Sequence, residues 1–181
     1  ATAIKASNPD ATLVIAFDQT KPLLKALASA GVDMSKLYFV DGNTSDYSSE
    51  LDAGLLKGSK GTIPGVNPSD DFIKRLESTG VDLKNTTTYA AETYDGIILA
   101  ALAAQKGGSA DGKTIQANMA AVSGADGGEK CDSYKACLAL LKDGKDIQYQ
   151  GQTGIGPFNK NNDPSSANIG VYTFDGDNKP V

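Results

Sequence analysis

The chain has 181 residues, 40% hydrophobic and 22% charged, enough for one large or two small globular domains with a sizeable core. Its net charge is -5, from 17 Lys and Arg against 22 Asp and Glu, and the basic residues are scattered, which argues against a nucleic-acid partner. There is no histidine, so His-dependent nucleophile triads, imidazole bases and most zinc sites are excluded.

The first residues look like the end of a helix. With no initiator Met and no signal-peptide pattern, they suggest a fragment of a longer protein whose targeting segment has been removed or was never included. After the turn at Asn8-Pro9-Asp10, the apolar run 11–17 predicts a central parallel strand buried on both faces. A helix over 23–30 follows, capped by Thr20 or Asp18, with Pro22 in its opening turn and Gly31 as its stop. A second strand, 37–40, ends in Asp41-Gly42-Asn43. In a parallel sheet the loops carrying Phe17-Asp18 and Asp41-Gly42-Asn43 share the carboxyl edge, where open α/β folds bind ligands. From the loops alone, Asp18 and Asp41 read as turn or cap residues.

Residues 48–60 read as a short or broken helix, and 61–66, punctuated by Pro64 and Gly65, as an extended crossover. An amphipathic helix over 70–79 ends at Gly80. Residues 89–104 then predict the helix around which the chain is organised: 97–104 carries no polar side chain, and Glu92 and Asp95 suit the positive end of the helix dipole. Being apolar on every side, it should be covered on every side, and it is too short for a membrane span.

A loop over 107–112, a helix over 113–122, a Gly-rich exposed stretch 123–129 and a helix closing at Gly144 come next. An edge strand or linker over 147–151 and a late strand over 169–176 complete the pattern, which is α/β. Cys131 and Cys137, the only cysteines, are open to three readings: a disulfide, a redox pair or two inert thiols. The spacing is not CxxC and nothing completes a metal site, which favours the disulfide and with it an oxidising compartment.

No cofactor or metal is expected. Gly151-Gln-Thr-Gly154-Ile-Gly156 has the wrong spacing for a dinucleotide fingerprint, and Asp175-Gly176-Asp177-Asn178 lacks the distal Glu of a calcium loop. Asn43-Thr44-Ser45 and Asn85-Thr86-Thr87 match the glycosylation sequon, a pattern too common to argue from.

In this order, several features resemble the type I periplasmic binding proteins, specifically the branched-chain amino-acid components of ABC transporters. They are Asn8-Pro9-Asp10-Ala11 before a strand, Ala91-Glu92-Thr93-Tyr94-Asp95-Gly96 opening the apolar helix, Cys131 and Cys137 followed by Gly144-Lys-Asp-Ile147, and Tyr149-Gln-Gly151-Gln-Thr-Gly154 with Phe158 and Asp163-Pro164. The resemblance spans nearly the whole chain. It implies a periplasmic-binding-protein-like I fold with parallel-sheet lobes, incomplete because the N-terminal lobe portion is absent. Residues 1–63 with 153–181 would be part of the second lobe, and 64–152 the C-terminal part of the first.

The implied function is an extracytoplasmic, periplasmic or cell-surface, solute-binding component that holds an amino acid or similar ligand between lobes and partners a membrane permease. Asp41 would pair with the ligand amine, Phe17 would pack on the ligand, Asp18 would have a secondary polar role, and Gly42 and Asn43 would complete the site, with Asn43 able to replace Asp41. Alternatives are a ligand-sensing receptor ectodomain and, against the missing His, nucleophile elbow and P-loop, an α/β enzyme using Asp18 or Asp41.

Overall fold

A computed structural model describes residues 1–83 and 87–181, so the sequon at Asn85-Thr86-Thr87 falls outside the described residues except for its last position. The elements in chain order are α1 (Thr2–Ser7), β1 (Thr12–Val14), α2 (Thr20–Ser29), β2 (Leu37–Phe39), β3 (Lys60–Pro64), α3 (Asp70–Glu77), α4 (Ala90–Gly107), α5 (Gly112–Ser123), β4 (Glu129–Cys131), α6 (Tyr134–Lys142), β5 (Ile147–Tyr149) and β6 (Ile169–Thr173). The protein is α/β.

Two compact units divide the chain: Ala1–Pro64 with Ile169–Val181, and Gly65–Asn168. Residues 153–168, expected with the first unit, belong to the second. Thr153 bonds Asp95, the Phe158 amide donates to Ser123 Oγ at 2.9 Å, and the Phe158 ring packs on the second core.

The first unit holds a sheet of order β1-β2-β3-β6. It is mixed rather than purely parallel, because β1, β2 and β3 are parallel while β6 returns antiparallel to β3. Leu24 and Leu27 of α2, with Tyr47, Leu51 and Leu56, cover one face over Val14, Leu37 and Phe39. The run 11–17 was expected to be a strand buried on both faces. Instead β1 is an edge strand, with Leu13 61% and Ile15 73% exposed, because every covering element lies on the opposite side.

Residues 48–58 run as turns with no helix, and the expected crossover is the inner strand β3. Gly61 allows this, since a Cβ there would stand 2.3 Å from the Tyr172 ring lying across it. Neither predicted residue caps α2: its cap position is Gln19, with no side-chain bond. Asn178, in the terminal turn, is fully buried; its Oδ1 accepts from the Leu56 amide at 2.9 Å and its Nδ2 donates to the Asp52 carbonyl at 2.8 Å.

The second unit packs α4, α5 and α6 on a two-stranded parallel sheet, β4-β5. Leu99, Leu102 and Ala103 of α4 meet Val122, Ile147 and Tyr149. The helix is not covered all round: Gly96 is exposed and Ile97 is 63% exposed. Asp95, read as a dipole partner, is buried and accepts four hydrogen bonds: from Tyr149 Oη, the amides of Gln152 and Thr153, and the Thr153 hydroxyl, at 2.8–2.9 Å. Burial, and next the Asp95 carboxylate, push the Tyr149 phenol well above its usual range.

Cys131 and Cys137 form a disulfide tying β4 to α6, which starts at Tyr134 because Ser133 Oγ accepts from the Ala136 amide. Among the described residues no helix is long and apolar enough to cross a membrane.

Candidate functional site

Because β1 and β2 are parallel, the loops that follow them leave the same edge of the sheet. After β1 the chain passes Phe17 and Asp18 and enters α2 at Thr20; after β2, Val40 leads into a 3-10 turn, Asp41–Asn43. Asn43 joins the two loops. Its Nδ2 donates to the Ala16 carbonyl at 2.9 Å and to the Thr20 hydroxyl at 2.5 Å, and its Oδ1 accepts from the Val40 amide at 3.1 Å. The Tyr47 hydroxyl donates to the Asn43 carbonyl at 2.9 Å, and burial pushes that phenol up to about 12 against the opposing Thr20 hydroxyl. Asn43 is fully buried, so the expectation that it contacts a ligand is corrected: its amide is committed to the protein and sets the spacing of the loops.

Gly42 lies against the first loop. A Cβ at this position would stand 2.8 Å from both the Ala16 carbonyl oxygen and the Phe17 ring, so any side chain would displace the ring. The ring itself is 72% exposed, Asp18 is exposed, and Asp41 is half-buried. Tyr172 supports the edge from below, donating from its hydroxyl to the Val40 carbonyl at 3.1 Å. Burial raises its phenol, the Thr44 hydroxyl opposes the shift, and the negative charge of Asp41 adds to it.

The structure thus sets the Phe17 ring against Gly42, with Asp41 the residue before that glycine, leaves Asp18 at the exposed start of the turn before α2, and buries Asn43 between the loops. Sequence reading missed Tyr172, which is 132 residues from Val40; its only trace is Gly61, the residue opposite it in the β3–β6 register. Among the described residues no group of three or more His, Cys, Asp or Glu side chains is placed to hold a metal ion.

No family model and no curated protein matches the chain. A solved structure, that of an ABC transporter permease from the Pseudomonas fluorescens group, is similar at 20% identity with a TM-score of 0.46, over 99% of this chain and 44% of that one. The chain spans less than half the length of the structure it matches. That name and the sequence-based expectation share the ABC transporter and differ in the component. The expectation of a transporter's solute-binding component is corrected by that finding: the matched structure is named a permease and not a binding protein.

Proposed function

We propose that the first unit binds a small molecule carrying an ammonium group beside an apolar group, at the carboxyl edge of its own sheet. The observation that carries this reading is the exposed Phe17 ring, held against Gly42 beside the half-buried Asp41 by the bonds of Asn43 to both loops. An ammonium is attracted both to a carboxylate and to an aromatic face, and loops already fixed lose little freedom on binding. The type I periplasmic-binding-protein resemblance belongs to this proposal as a statement about fold and site, without a transport role. Binding without catalysis, and an extracytoplasmic setting supported by the disulfide, complete it.

The test is calorimetric titration of the chain with benzylamine and with benzyl alcohol as its uncharged analogue. Benzylamine should bind and benzyl alcohol should not. Asp41→Asn should weaken benzylamine about 10- to 100-fold, the size of a charge-assisted hydrogen bond of about 1.5–3 kcal/mol, and Phe17→Ala should weaken it severalfold. Equal binding of the two probes, or an unchanged affinity in Asp41→Asn, would refute the assignment.

A further inference from the structure

Between the ends of α4 and α6 the second unit has an open cleft of about 340 Å³, at the lower end of the range of small-molecule sites. Its lining draws on three pieces of chain: Lys106 in the last turn of α4, Leu138, Leu141 and Lys142 on α6, and Lys145 and Asp146 in the turn that leads to β5. Leu138, Leu141 and Lys142 are spaced i, i+3 and i+4, so they share one stripe of the helix. That stripe gives the cleft two half-buried leucines with an ammonium beside them. The disulfide ends at Cys137, the residue before Leu138, so the α6 wall is tied to β4.

Three lysines stand around this apolar floor. Lys106 Nζ donates to Asp146 Oδ1 at 2.7 Å, and Lys145 Nζ pairs with Glu129 at 2.8 Å. Lys142 is exposed and makes no ion pair or hydrogen bond among the described residues. Asp146 is the one acid in the lining; Glu129 and Asp143, which both act on Lys145, lie outside it. A lysine in the last turn of a helix suits the negative end of the dipole. That accounts for Lys106 and Lys142 taken singly, but not for Lys145 or for the volume left open among the three.

We infer that this cleft binds a small organic carboxylate with a short apolar tail. The tail lies over Leu138 and Leu141, and the carboxylate accepts from Lys142 and from a donor of Lys145 that its pairing with Glu129 leaves over, since an ammonium has three. A cation would leave Lys142 without a partner, and an acid without a tail would leave the leucines wet. The cleft lies within the second unit and takes the charge opposite to that proposed for the first, so the two readings stand or fall separately.

The test is a titration of the isotopically labelled 181-residue chain, followed by amide NMR, with hexanoate and with hexan-1-ol and acetate as controls that lack the charge or the tail. Hexanoate should shift the amides of Leu138, Leu141, Lys142 and Lys145 with a dissociation constant of about 1 mM, and each control should bind at least about tenfold more weakly. Lys142→Gln should weaken hexanoate about tenfold and Lys142→Arg should keep most of the affinity, both with unchanged far-UV circular dichroism. An absence of shifts up to about 20 mM hexanoate, shifts confined to the first unit, or either control binding as well as hexanoate would overturn the inference. So would an unchanged affinity in Lys142→Gln.

Discussion

Asn43 holds two loops at a fixed spacing through both ends of one amide group, and the spacing of Phe17 and Gly42 depends on it. Asn43→Ala would leave the Val40 amide, the Ala16 carbonyl and the buried Thr20 hydroxyl without that partner, a loss of about 3 kcal/mol by the usual cost of buried unsatisfied groups. Urea titration should show it as a lower midpoint with an unchanged slope. Asn43→Asp keeps the acceptor for Val40 but turns a carboxylate oxygen toward the Ala16 carbonyl, so its stability should partly recover at acidic pH, where the protonated acid donates again.

At this scale the sequence was informative about which loops to inspect, because a strand followed by Phe-Asp or Asp-Gly-Asn places those residues at one edge. Their orientation was not legible. Asn43 is turned inward by bonds to Ala16, 27 residues away, and Tyr172 arrives on a strand near the far end of the chain.

Among the elements, strong local patterns were legible: β2 as an apolar run, α3 from its amphipathic periodicity, and α4 from its unbroken Ala- and Leu-rich stretch. The three residues of β4 were not, since Glu129-Lys-Cys131 carries no strand pattern and is held by pairing to β5 and by the disulfide. Nor does an apolar run say whether one or both faces of its strand are covered, which is why β1 was misread. The bridge joins residues six apart, and closing so short a loop in the unfolded chain is worth about 2 kcal/mol. Reduction, or the Cys131→Ala/Cys137→Ala variant, should therefore destabilise the second unit by about that amount. Hydrogen exchange should show faster exchange at Ile147, Gln148 and Tyr149 and no change in β1 or β2.

Over the whole molecule, buried tyrosines set the alkaline limit. Burial raises the phenols of Tyr47 and Tyr172 in the first unit and Tyr149 in the second, Tyr47 to about 12. A group whose folded value is raised contributes stability that is complete below its unfolded value, near 10, and is lost as pH climbs through the folded value. Unfolding free energy should hold up to about pH 10 and fall steadily toward pH 12, and tyrosinate absorbance from these three residues should appear together with loss of circular dichroism. Tyr47→Phe should flatten the first part of that fall.

The antiparallel return of β6 also orders events during synthesis. The second unit, continuous from Gly65 to Asn168, has every residue it needs before Ile169 leaves the ribosome, whereas the first unit, begun earlier, still lacks the strand that closes β3 and the terminal turn that carries Asn178. The unit started first is thus finished last. In that interval the nascent chain shows an unpaired β3 edge, the kind of surface on which chains pair wrongly and aggregate.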